Sequence, residues 1–145
     1  PNATSAEKPS VPLAPAEGGL VFWPSSWAPD DRFLAGTLYR EGSVAGIGTY
    51  SMADARHTRL AAPEGASRPQ VLADGRHLLA AAPDRLVLLD TRGEPARNLA
   101  AAQPGHRFTY VTLSANRRWL SVFDAADESD IWLATIDTPP SVAKR

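Results

Sequence analysis

A ten-residue pattern occurs three times along this chain. In each copy an apolar residue is followed by a small turn, an arginine, a bulky ring and a leucine, and the aligned leucines are separated by 44 and 42 residues. Recurrence at a period of roughly 20–50 residues is typical of architectures in which similar units stack and bury a continuous core. The copies are Ser26–Ala35, Gln70–Leu79 and Thr112–Ser121.

A second segment recurs further along each copy, and its versions are Gly46–Ser51, Arg85–Asp90 and Asp130–Thr135. Short runs rich in β-branched and aromatic residues, bounded by Asp, Gly and Pro, predict strands and turns, whereas no long stretch keeps a helical period. Asp74-Gly75 predicts a two-residue hairpin turn, because glycine adopts the positive φ that such a turn needs. Asp30-Asp31 and Asn116-Arg117 stand at the same place. The repeat therefore predicts four short antiparallel strands per unit, the composition of a propeller blade.

The first copy resembles a known family. Trp27–Ala35 is similar to the Ser-Pro-Asp-Gly-(Arg/Lys)-aromatic-Leu-Ala signature of TolB-type, WD-repeat-like β-propellers, and Asp130–Leu133 is similar to the third strand of their repeats. The resemblance covers about residues 24–137, although only the second copy keeps the glycine. It implies an all-β fold, a partial β-propeller of about three four-stranded antiparallel blades. Rings of this family typically have six blades, so three are half of one.

The repeat also predicts how the chain is divided. Three blades are expected within residues 20–137, a Pro/Ala-rich linker before them at 1–19, and a loose tail after them at 138–145. The apolar run Leu20–Trp23 leaves two alternatives open, an outer strand for one of these blades or the last strand of a preceding one. The predicted blades span approximately 20–62, 67–101 and 108–137.

An acidic stretch is the one candidate for a metal site. Hard cations bind several carboxylate and carbonyl oxygens of a flexible loop, and this stretch supplies four carboxylates. No glycine shapes the loop, however, so a solvated hairpin loop is the preferred interpretation and a cation site the alternative. The four residues are Asp124, Asp127, Glu128 and Asp130.

The sequence contains no pattern typical of catalysis. It has no cysteine, and its histidines, His57, His77 and His106, lie in predicted strands or loops without a Gly-x-Ser-x-Gly motif or metal-ligand spacing. We therefore predict no catalytic residue, no cofactor and no enzymatic activity in this segment.

The arginines and tryptophans of the repeat are expected to be structural. Arg32, Arg76 and Arg118 hold equivalent positions, where they would pair with turn carboxylates or carbonyls. The tryptophans could form a stacking surface for a sugar or a peptide, but core packing is preferred because two of them occupy core positions of the repeat. The four are Trp23, Trp27, Trp119 and Trp132.

The charge balance narrows the class of partner. With 15 basic and 16 acidic residues the net charge is −1, which argues against nucleic-acid binding, and no apolar run is long enough to insert in a membrane. We expect a non-catalytic module for protein or peptide binding, with specificity in the loops 40–45, 83–85 and 124–129.

The resemblance implies a larger context for this module. It would be the C-terminal half of a larger propeller in a bacterial sensor or interaction protein, periplasmic or otherwise extracytoplasmic. The remaining blades or a second copy of the chain would be its partner in closing the ring. The alternative is the substrate-gating propeller of a prolyl-oligopeptidase-type serine peptidase, whose catalytic domain lies outside this sequence.

Overall fold

The computed structural model describes residues 12–126 and the backbone of 129–135. Within these ranges the chain is all-β, with eleven strands and no helix, and therefore no helix that could cross a bilayer. The strands are β1 Val21–Trp27, β2 Phe33–Arg40, β3 Ser43–Ser51, β4 His57–Leu60, β5 Ser67–Val71, β6 His77–Ala82, β7 Arg85–Asp90, β8 Arg97–Ala101, β9 Arg107–Leu113, β10 Trp119–Ala125 and β11 Ser129–Thr135.

The strands form three antiparallel sheets in chain order. The first sheet is β1-β2-β3-β4, the second β5-β6-β7-β8, and the third, in the described residues, β9-β10-β11. Of the apolar run Leu20–Trp23, the last three residues lie in β1, where Trp23 pairs with Thr37 of β2. The first strands of the sheets are neighbours, because β1 contacts β5 and β5 contacts β9.

The turn between the first two strands has the same hydrogen bonds in all three sheets. In the second sheet Leu72 N donates to His77 O at 2.8 Å and Gly75 N donates to Leu72 O at 3.1 Å. The fourth residue of each turn has a positive φ of 58°, 67° or 55°. These residues are Asp31, Gly75 and Arg117.

The two-residue turn predicted at Asp74-Gly75 is wrong in its length. Four residues, 73–76, separate the hydrogen-bonded pair Leu72 and His77. The physical reason is that a two-residue type I′ turn needs a positive φ at both central residues, and here only Gly75 has one. Asp74 instead uses a carboxylate oxygen to accept hydrogen bonds from the N–H groups of Arg76 and His77, each at 2.9 Å.

The core lies in two layers, one on each face of the second sheet. Leu78, Ala80 and Ala82 of β6 pack toward the first sheet. Leu79 and Ala81, which alternate with them, pack toward the third. A strand buried on both faces has a continuous apolar sequence, and the small alanines allow the neighbouring sheets to approach closely.

The other face of the first sheet carries part of the predicted linker. Ala14 N donates to the Tyr50 hydroxyl at 3.4 Å, and the Ala14 carbonyl lies 2.7 Å from His57 Nε2. On this face a Cβ added to Gly36 would lie 2.3 Å from the Trp23 carbonyl oxygen and 2.8 Å from the Phe22 ring. The absence of a side chain at Gly36 therefore lets β1 and the Phe22 ring pack tightly.

Candidate functional site

Three hydroxyl groups of the first sheet join it to β5 of the second sheet. Ser25 Oγ donates to a backbone carbonyl at 2.9 Å, while Ser26 Oγ and Thr37 Oγ1 accept backbone N–H groups at 3.0 and 2.8 Å. A cleft lies beside these hydrogen bonds, between the first two sheets. The backbone partners of the three hydroxyls are Pro69, Val71 and Arg68 respectively.

A β-bulge in β5 gives Arg68 its position. The pairing register with β6 shifts between Ser67 and Gln70, and Arg68 has a φ of +48°. Pro69, which follows, is fully buried and has no N–H to give to the ladder. Bulges redirect side chains, and a non-glycine residue in the left-handed region persists only where its surroundings hold it there. Here the hydrogen bond from Arg68 N to the buried Thr37 hydroxyl holds it.

The cleft between the first two sheets has a volume of about 170 Å³. Trp23, Tyr39 and Arg68 are its large lining side chains, together with the smaller Ser25 and Thr37. Trp23 is 68% exposed, and its ring lies edge-on to Tyr39 with centroids 6.1 Å apart. The cleft is therefore open, with one wall made of exposed aromatic surface.

The aromatic surface continues onto the third sheet. The guanidinium carbon of Arg68 lies 5.6 Å from the centroid of the Tyr110 ring, within the range of a cation–π contact. Tyr110 in turn stacks on Phe123, with centroids 5.2 Å apart and planes 6° from parallel. We call Trp23, Tyr39, Arg68, Tyr110 and Phe123 the aromatic–arginine row.

The chemistry available in this row is binding. Aromatic rings provide large contact areas at little conformational cost, and a guanidinium offers five N–H donors in a planar fork. The hydroxyls of Ser25 and Thr37, which also line the cleft, are already hydrogen-bonded to the backbone of β5. They therefore serve the packing of the sheets.

The acidic stretch that was the metal candidate is only partly described. Asp124 is 8% exposed, and one carboxylate oxygen lies 2.9 Å from Nδ1 of His106. Asp130 faces Asp124 across the β10–β11 ladder, and its side chain lies outside the described residues, as do Asp127 and Glu128. In the part of the chain that the structure describes, no group of three or more His, Cys, Asp or Glu side chains is placed to hold a metal ion.

The three histidines occupy three separate environments, in β4, in β6 and just before β9. His57 packs between the rings of Phe22 and Tyr50, with centroids 4.9 and 4.8 Å away. His77 lies 2.5 Å from an Asp74 oxygen, while His106 is close to Asp124. Nothing brings these side chains together in the structure.

Arg76 has the carboxylate partners that the repeat predicts. One of its terminal nitrogens lies 2.5 Å from the buried Asp90 and 2.7 Å from Glu94. The hydrogen bond from Arg76 holds the pKa of Asp90 below its ordinary value. For Asp74, partial burial acts to raise the pKa, but the hydrogen bonds with His77 and with backbone N–H groups lower it overall.

The other two repeat arginines differ from each other. Arg32 pairs with Asp30 at 2.6 Å, as expected of a turn carboxylate. Arg118 is exposed, and its neighbour Arg117 instead donates to the carbonyls of Leu72 at 3.2 Å and Trp27 at 3.5 Å. Arg117 thereby connects the equivalent turns of all three sheets.

The core role predicted for the tryptophan of the third repeat is wrong. Trp119 is 47% exposed, and Trp27 is 48% exposed. The core of the third sheet faces the second sheet through Val111, Val122 and Leu120, and Trp119 alternates with Leu120 onto the opposite face. The side chain of Trp132 lies outside the described residues.

Sequence reasoning missed Tyr39, Arg68 and Tyr110, because none of them belongs to the recurring pattern. One local signal for Arg68 was present. Pro69 interrupts an otherwise strand-like segment, and proline within a sheet is confined to edges and bulges. Such a bulge is a position where a neighbouring side chain is redirected.

Comparison with known proteins shows the fold. No protein-family model and no curated protein matches the sequence. Among solved structures, a "putative TolB" from Agrobacterium tumefaciens is similar at a TM-score of 0.68 and 14% identity, over 82% of this chain and 47% of that one. The chain therefore has a TolB-like all-β fold and spans about half the length of this structure.

Proposed function

We propose that this chain is a non-catalytic module that binds a protein or peptide. In this proposal the three sheets are blades of a propeller, and the ring is completed by further blades of a larger protein or by a second copy. The aromatic–arginine row, in which Trp23 and Arg68 are exposed and the other three side chains half-buried, lies at a cleft between two sheets and is the observation that carries the proposal.

Several features support the blade interpretation. Each sheet is an antiparallel meander, adjacent sheets pack face to face through apolar residues, and their first strands are neighbours. Stacking of this kind leaves one face of each terminal sheet to be covered by something else. The similar structure is about twice as long as the part matched here, which fits half of a larger propeller.

The setting we propose follows from the same likeness. The module would belong to a bacterial sensor or interaction protein, on the periplasmic or another extracytoplasmic side. The rigid sheets would hold the row in place, while the nearby hairpin loops add specificity.

An extended peptide is the partner that suits this surface best. Trp23, Arg68 and Tyr110 lie on β1, β5 and β9, so a segment crossing the three strands would meet one large side chain from each. Aromatic and arginine side chains at the centre of an interface supply most of its binding energy.

Selection of 12-residue peptides from a phage-displayed library on the purified chain tests this function. The best peptide is then titrated against Trp23→Ala and Tyr110→Ala, with Trp27→Ala as a matched control on the same strand as Trp23. Loss of a central aromatic residue typically costs about 2 kcal/mol, or roughly thirty-fold in Kd. We expect such losses for Trp23→Ala and Tyr110→Ala and less than a two-fold change for the control. Recovery of no peptide, or equal losses in all three variants, would overturn the proposal.

A further inference from the structure

Arg68 has an unfavourable backbone conformation, and its side chain is nevertheless exposed to solvent. Its φ of +48° lies in the region that costs ordinary residues about 1–2 kcal/mol, and the side chain is exposed. The hydroxyl of Thr37 accepts the hydrogen bond from Arg68 N, and Thr37 is only 1% exposed. A buried partner therefore fixes the backbone conformation of Arg68. Strained positions of this kind cluster at ligand sites.

The bulge that presents Arg68 has counterparts in the neighbouring sheets. The β1–β2 register shifts around Ser25, and the β9–β10 register shifts around Thr109. The flanking bulges therefore present small neutral hydroxyl residues, whereas the central one presents a cation. A ligand lying across the three strands meets its one charged bulge residue in the middle.

Arg68 has no ion-pair partner within the described part of the chain. Arg32, Arg76 and Arg85 each form an ion pair with an aspartate in the same sheet. No carboxylate of the described residues lies within ion-pair distance of Arg68. What distinguishes Arg68 from other arginines without a carboxylate partner is its place on the cleft, beside Trp23 and Tyr39.

The contact with Tyr110 leaves the guanidinium able to bind an anion. The N–H donors of a guanidinium lie in its plane and point in several directions, so a contact with one ring leaves donors for an anion. Tyr110 is itself backed by Phe123, which keeps the ring in position. A carboxylate matches the planar fork through two parallel hydrogen bonds, and the apolar wall of Trp23 and Tyr39 reduces competition from water.

From this geometry we infer that Arg68 is a specificity residue that binds a carboxylate of the partner peptide, with apolar or aromatic residues beside that carboxylate in the cleft. The inference rests on the proposed function, since it names the chemistry that the peptide must carry. The carboxylate belongs to a Glu or Asp side chain or to a free C-terminus.

Two peptide libraries, selected on the full chain, separate these sources. One is displayed with its C-terminus fused, so that only side-chain carboxylates are available, and the other with free C-termini. In the first library we expect Glu or Asp to be enriched at one position. In the second we expect apolar residues to be enriched just before the free C-terminus, without a requirement for Glu or Asp. Enrichment in the first assigns a side-chain carboxylate, and selection confined to the second assigns a terminal one.

A double-mutant cycle then connects the carboxylate to Arg68. Replacing the peptide carboxylate by its amide is expected to weaken binding to the unmodified chain about ten-fold or more, as for a charge-assisted hydrogen bond, and to leave binding to Arg68→Gln nearly unchanged. Arg97→Gln, an exposed strand arginine on β8, is the matched control and should behave as the unmodified chain. Arg68→Gly gives a second test, because glycine suits the positive φ and so retains the fold.

The outcomes distinguish this inference from the function on which it rests. Peptides that bind equally well with their carboxylates amidated, or an Arg68→Gln effect no larger than that of Arg97→Gln, overturn carboxylate recognition and leave peptide binding intact. Recovery of no peptide from either library overturns peptide binding and the inference together. Tighter binding of a phosphorylated peptide or of a nucleic acid than of the carboxylate peptide, in a parallel titration, also overturns carboxylate recognition.

Discussion

The guanidinium of Arg117, in the first turn of the third sheet, donates a hydrogen bond to the carbonyl of Leu72 at 3.2 Å, in the equivalent turn of the second sheet. A longer contact of 3.5 Å reaches the Trp27 carbonyl of the first sheet. Trp27 is the last residue of β1 and Leu72 directly follows β5, and these two strands are neighbours. One side chain thus ties three sheets together, while its own backbone has a φ of 55°.

Substitution of Arg117 should separate these two effects. Arg117→Ala is expected to lower the free energy of unfolding by about 1 kcal/mol, because the hydrogen bonds between sheets are lost and the backbone strain is kept. Arg117→Gly should recover about 1 kcal/mol of that loss, since glycine adopts a positive φ freely. Urea denaturation measures both. Arg118→Ala, next to it and exposed, should change stability by less than about 0.5 kcal/mol. A control as costly as Arg117→Ala would contradict the inter-sheet role.

The first turn of the first sheet offers a stabilising substitution. Asp31 has a φ of 58° where the second sheet has Gly75 with a φ of 67°. Asp31→Gly should raise the free energy of unfolding by about 0.5 kcal/mol, the relief of strain being partly offset by the greater freedom of glycine in the unfolded chain. Thermal unfolding followed by circular dichroism measures this change, and a lower Tm for the variant would refute the prediction.

Gly36 should be among the least tolerant positions of the first sheet. A Cβ there would lie 2.3 Å from the Trp23 carbonyl oxygen, which belongs to the backbone and has little room to move. Gly36→Ala should therefore cost about 3 kcal/mol or prevent folding. Gly93→Ala is the control, because nothing lies within 4 Å of its added Cβ, and its φ of +86° alone should cost about 1 kcal/mol. Equal unfolding free energies for the two variants would contradict the prediction, because they would show that β1 can move away from the added methyl group at little cost.

Acid should destabilise the fold partly through Asp90. Its pKa is lowered in the folded chain, first by the hydrogen bond from Arg76. A carboxyl with a lowered folded pKa contributes stability that is present above its unfolded pKa, about 3.9, and is lost as the pH falls through the lower folded value. Urea titrations between pH 7 and pH 2.5 should show this decline.

Two variants identify the source of that decline. Asp90→Asn should be less stable than the unmodified chain at pH 7, with a shallower dependence on pH below about pH 4. Arg76→Gln should act in the same direction, because the carboxyl loses the partner that lowers its pKa. A pH dependence in Asp90→Asn as steep as that of the unmodified chain would show that other carboxyls cause the loss.

The sequence pattern predicted the repeating sheets because the recurring residues determine local backbone conformation and strand burial. Aligned leucines and turn residues such as Asp74 and Gly75 act over a few residues, and their local hydrogen bonds are visible in the sequence. The length of the turn was not predictable, because it depends on which residue adopts the positive φ.

The candidate site was beyond the repeat pattern for a different reason. Arg68, Tyr39 and Tyr110 come from three strands, and only the stacking of the sheets brings them together. Likewise, the sequence does not tell which of Arg117 and Arg118 links the sheets. The two side chains are chemically identical, and the backbone conformation decides which one points toward the neighbouring turns.

The middle strand of the second sheet has an unusual consequence for how the chain finds its alignment. In most sheets a shift by one residue moves apolar side chains into water, and that penalty selects the correct pairing. In β6, Leu78, Ala80 and Ala82 face one core while Leu79 and Ala81 face the other, so a slipped strand would still be sheltered on both sides. The correct pairing register of β6 must then be set at the hairpin turn, where the carboxylate of Asp74 accepts hydrogen bonds from the N–H groups of Arg76 and His77. For this sheet, a polar residue at a turn carries the information that buried side chains usually hold.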